Sequence, residues 1–210
     1  MGIVAAVIVM GIVLAIGAGL ANAAGAKKGK QVFAAFSAGG IVAARAAVDR
    51  LYPRTKNGAH HERLAALGLL GDVESLEREL PLLDGRPLVV YRAQMIGLLG
   101  LALAGRDVAA CAARMKEIAE RNQRESPKLA KLPIRWMHAF ANLGAALATR
   151  APSLLERPLL IQATRGQPML KILCWETMIK VFELAGDAER AANVRQDLGW
   201  MNEVRRAQAA

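Results

Sequence analysis

LAALGLLGDVESLEREL (64–80), LLGLALAGRDVAACAARM (98–115) and IKVFELAGDAERAANVRQDL (179–198) follow one plan: an apolar run, a glycine, an aspartate, and a run with a single apolar face. Glycine ends a helix in the left-handed conformation without a Cβ penalty. An aspartate just after it caps the next helix, accepting from free N–H groups, and its charge suits the helix N-terminus. The pairs Gly71/Asp72, Gly105/Asp107 and Gly186/Asp187 therefore predict three helix–turn–helix hairpins.

The first two turns lie 34 residues apart, and 81 residues separate the second from the third. That longer interval holds one more hairpin and an insertion. The hairpin is expected to turn near Thr149–Pro152, where Ser153 and Glu156 stand at capping-box spacing, although Pro158 soon after would disturb the helix. The insertion is the polar, basic stretch 122–132. Val108, Cys111, Met115 and Ile118 make a single buried stripe, as do Ala191, Val194, Leu198 and Met201. Residues 88–103 and 169–184 are apolar on most sides, as expected of helices packed between neighbours.

A 34-residue step with a recurring Gly–Asp turn resembles the tetratricopeptide-repeat family, over roughly residues 59–205. Trp175, Phe182, Gly186, Asp187 and Ala191 fall where that family prefers Trp or Leu, an aromatic, Gly, Asp and Ala. Ala110 keeps the small residue after the second turn. Ile179 and Leu76 depart from the pattern, each standing where the family prefers a small residue. The resemblance implies an α-solenoid of about three to four helical hairpins whose concave face takes peptides or helices of other proteins. Arg92, His138 and Glu176, polar within apolar helices, are the candidate groove residues.

The N-terminus reads differently. Residues 1–24 carry no charged side chain, and 3–20 reads IVAAVIVMGIVLAIGAGL. About 20 apolar helical residues span a bilayer core, so 1–26 is expected to be a single transmembrane helix. Gly11, Ala15, Gly19 and Ala23 recur every four residues and would form its packing face toward another helix. The alternative is a cleaved export signal ending in Ala21-Asn22-Ala23, against which stands the lack of basic residues before the apolar run.

Charge sets the expected orientation. The chain is +10 overall, and residues 25–58 hold seven bases against Asp49 alone, leaving +4 for the rest. The positive-inside rule places the N-terminus outside and the C-terminal side of the apolar run in the cytoplasm. Lys27, Lys28 and Lys30 are the expected contacts to anionic lipid. Residues 27–58 would form a basic juxtamembrane linker, lying near the membrane surface or packing on the helical domain at 59–210.

Chemistry-bearing patterns are sparse. His60, His61 and Glu62 are adjacent, so on a helix they diverge rather than converge on a metal. Cys111 and Cys174 have no partner at metal or redox-motif spacing and read as small core residues. No metal, cofactor or catalytic residue is expected. Few aromatics, 4% of residues, and a modest charge beyond residue 58 argue against nucleic acid as a partner. The sequence thus predicts an all-α, membrane-tethered interaction scaffold or adaptor at the cytoplasmic face of a bacterial-type inner membrane, with protein partners and membrane lipids. An accessory subunit held through its transmembrane helix, an exported periplasmic repeat protein and a homo-oligomer remain open.

Overall fold

The architecture comes from a computed structural model, which describes residues 27–32, 34–40, 42–53, 60–83, 87–125, 131–165 and 167–198. These residues are mostly helical. Helix α1 covers 27–32, 34–40 and 42–51. Next come α2 (His60–Leu70), α3 (Val73–Glu79) running into a 3-10 turn (Leu80–Leu82), α4 (Pro87–Leu103) and α5 (Val108–Glu125). The remainder is α6 (Lys131–Thr149), a 3-10 turn (Pro152–Leu154), α7 (Arg157–Ala163), α8 (Pro168–Leu184) and α9 (Ala188–Asp197).

Three hairpin turns share one geometry. Gly71, Gly105 and Gly186 have φ of 66°, 83° and 76°. In each, a backbone N–H just beyond the glycine returns to a carbonyl five residues earlier: Asp72 to Leu67, Arg106 to Leu101, Asp187 to Phe182. The carboxylates of Asp72, Asp107 and Asp187 then accept from the N–H of Ser75, Ala110 and Arg190 at 3.3, 3.0 and 3.0 Å. Orphan groups at both helix ends are satisfied within a few residues.

The turn after α6 uses the same return bond, Ala151 N–H to the Ala146 carbonyl at 3.1 Å, but places Arg150 at φ 55°. An arginine there bears the left-handed strain that glycine avoids. The expected capping box does not form. Ser153 lies in the 3-10 turn, and Glu156 precedes α7 without capping it through its side chain. Pro158 sits in the first turn of α7, where its missing N–H costs nothing, so it starts the helix instead of disturbing it.

Packing is organised by α4 and α8, the two helices apolar on most sides. Helix α4 lies against α2, α5, α6 and α8, while α8 lies against α2, α4, α6, α7 and α9. Helices α2 and α4 come close together where Gly68 and Gly100 face each other. A Cβ added at Gly100 would stand 2.7 Å from the Gly68 Cα. Leu64, Leu67, Met95, Ile96, Leu99, Leu143, Leu173 and Met178 fill the interior between these helices. On α5, Cys111, Met115 and Ile118 are buried and Val108 partly so.

Two expectations fail against this structure. In an open solenoid each repeat touches only its neighbours. Helix α8, from the last hairpin, instead packs directly on α2, from the first. The last hairpin is thereby brought against the first. The single N-terminal transmembrane helix, and with it the single-pass inner-membrane location, is also overturned. No helix among the described residues is long and apolar enough to cross a membrane. The segment 1–26 on which that expectation fell, including Gly11, Ala15, Gly19 and Ala23, lies outside the described residues.

Helix α1 packs on the domain. Val32, Ala44, Ala47, Val48 and Tyr52 join the common core. An ionic network secures it. Arg63 on α2 is only 3% exposed. It donates to both oxygens of Glu79 at 2.6 and 2.7 Å, to Asp49 at 2.9 Å and to the Tyr52 carbonyl at 3.2 Å. Arg45 meets Asp72 at 2.6 Å. Lys28 is half-buried with its ammonium 5.1 Å from the centre of the Tyr52 ring, while Lys27 and Lys30 are exposed.

Candidate cationic cleft

The candidate groove residues engage separate partners. Arg92 on α4 donates to Gln167 Oε1 at 2.6 Å, just before α8. Burial lowers its pKa, with Glu62 and Cys174 nearby opposing the shift. His138 on α6 pairs with Gln123 on α5 at 2.9 Å. Glu176 is half-buried on α8. Arg92 and His138 are thus held by different side chains. The side chains of His60 and His61 lie outside the described residues. Glu62 is half-buried, and burial raises its carboxyl above the usual range against the pull of Lys28 and Arg92. Cys111 and Cys174 are buried free thiols whose pKa burial raises.

A different feature stands open to solvent. Helices α7 and α8 and the end of α9 enclose a cleft of about 440 Å³. Its walls are Arg157, Ile161, Thr164 and Arg165 from α7 and its end, Lys171 and Trp175 from α8, and Asp197 from α9. The helical period explains the grouping. Residues 157 and 161 share one face of α7, 164 and 165 follow directly at its end, and 171 and 175 share one face of α8. Both helices begin with a proline in the first turn, which sets their starting points on either side of a short connection.

The cleft has an apolar floor and a cationic rim. Trp175 is 2% exposed, whereas Ile161 is 50% exposed. The Lys171 ammonium lies 5.2 Å from the centre of the Trp175 ring and covers its face. The Thr164 hydroxyl donates to the Leu160 carbonyl at 2.8 Å, closing the end of α7. Arg157 is ion-paired with Asp197, tying α7 to α9. Arg165 and Lys171 have no carboxylate partner among the described residues. The buried Nε1–H of Trp175 also finds no acceptor there.

Sequence reasoning passes over this cleft. One signal is available: residues 157–175 contain three bases and no acid, although Glu156 and Glu176 flank them. What the sequence does not show is that α7 ends at Ala163, α8 begins at Pro168, and the two helices meet. Among the described residues no group of His, Cys, Asp and Glu is arranged to hold a metal ion. Comparisons with family models, with curated proteins and with solved structures find no match to this chain.

Proposed function

We propose that this chain is a protein-interaction adaptor built from tetratricopeptide-like helical hairpins, and that it receives a partner segment in the α7–α9 cleft. The observation that carries this reading is the cleft itself. Its wall combines a half-exposed isoleucine, a buried tryptophan and two cations without carboxylate partners, on helices packed into the common core. Binding surfaces work best when rigid elements hold an apolar anchor site within a polar rim. Binding is favoured over catalysis because both thiols are buried with raised pKa and His138 is held by Gln123.

The test is selection from a random 12-residue peptide library displayed on phage, panned on the wild-type chain and counter-screened on Ile161→Asp. Residue 161 is exposed enough for aspartate to be tolerated in the fold. The expected result is enriched peptides that fail to bind the variant. Enriched peptides that bind both proteins equally place recognition elsewhere and refute the cleft. No enrichment refutes the adaptor.

A further inference from the structure

We propose that the segment taken by the cleft is acidic: a carboxylate-bearing peptide whose aliphatic side chain rests on Ile161 while its carboxylate meets Arg165 and Lys171. This inference rests on the adaptor reading and specifies its partner. The charge balance of the cleft points to an anion. Of its three cations, Arg157 is neutralised by Asp197, which leaves two positive charges facing the opening. An arginine fork suits planar oxyanions, and a nearby ammonium adds a second charge-assisted bond. The chain's overall charge of +10 favours encounter with acidic partners.

Nucleic acid presents anions too, but the cleft suits it poorly. Recognition of single strands relies on aromatic faces on which bases stack. The face of Trp175 is covered by the Lys171 ammonium. Ile161 offers an aliphatic surface that a leucine or isoleucine of a peptide fills.

The experiment uses fluorescence anisotropy on the full chain with labelled 12-mers. The probes are a Glu-Glu-Leu repeat, the same peptide with Gln for Glu, the same with Lys for Glu, and a thymidine oligonucleotide of equal length. The Glu peptide is expected to bind at least ten-fold more tightly than the Gln peptide, and more weakly as salt rises. Arg165→Gln combined with Lys171→Gln should weaken it ten-fold or more at unchanged Tm. Equal binding of the Glu and Gln peptides overturns the acidic specificity and leaves the adaptor standing. Tighter binding of the oligonucleotide, with the same dependence on Arg165 and Lys171, reassigns the cleft to nucleic acid. Binding of no probe overturns the acidic specificity, and the library selection then decides the adaptor separately.

Discussion

Substituting Gly100 by alanine tests the packing at the centre of the fold. At an unconstrained helix interior, Gly→Ala stabilises by about 1 kcal/mol, because alanine loses less backbone entropy on folding. Here the added Cβ would stand 2.7 Å from the Gly68 Cα and 3.3 Å from Leu76 Cδ1. The leucine tip can rotate away. The Gly68 backbone moves only if α2 shifts as a unit, and α2 is also packed against α8. Overpacking of this kind costs about 1–3 kcal/mol. Set against the propensity gain, Gly100→Ala is expected to destabilise by up to about 2 kcal/mol, a drop of up to roughly 8 °C in Tm for a chain of this size. Gly68→Ala is the internal control. Its Cβ would lie 3.1 Å from the Gly100 Cα and 3.7 Å from Leu173 Cδ1, a milder overlap, so its net effect should stay within about 1 kcal/mol of zero. The double variant should lose more than the sum, since the two new carbons compete for one gap. Urea unfolding followed by circular dichroism at 222 nm measures all three. A stabilised Gly100→Ala, or strict additivity of the pair, would refute the close crossing of α2 and α4.

Arg150→Gly should stabilise the chain by up to about 1 kcal/mol, because Arg150 holds φ 55° and glycine relieves that strain; an unchanged or lower Tm contradicts it. Arg63→Ala should cost about 3–5 kcal/mol by removing a buried guanidinium bonded to two carboxylates and a carbonyl. Arg114→Ala, which breaks an exposed pair with Glu117, should cost under about 1 kcal/mol, and equal losses in urea titrations would argue against the network. Burial raises the Glu62 carboxyl, so the folded chain holds that proton more tightly than the unfolded chain. The resulting stability is whole below the ordinary carboxylate pKa and is lost as pH rises through the raised one. Glu62→Gln should therefore match the wild type in acid and exceed it near neutrality; a Tm difference that does not change with pH rejects this account.

The all-helical class and the three Gly–Asp turns are legible in the sequence because they are local. Each turn is made by a glycine that tolerates positive φ, a return bond over five residues and a carboxylate that reaches three residues forward. All of those partners sit within one short window of chain. Proline in the first turn of α7 and α8 is local in the same sense, although Pro158, which looks like a disturbance in the sequence, marks a start. The N-terminal apolar stretch suggests a membrane-spanning helix by length and composition alone, and that inference does not stand. Closure of α8 onto α2 depends on residues about a hundred positions apart. The Gly68–Gly100 crossing, the gathering of Asp49, Arg63 and Glu79, and the meeting of Arg165 with Lys171 and Trp175 also depend on how helices cross. Side-chain periodicity states which face of a helix is apolar, but it does not say which other helix that face meets. That pairing is set by shape complementarity over the whole core, and only the tertiary structure decides it.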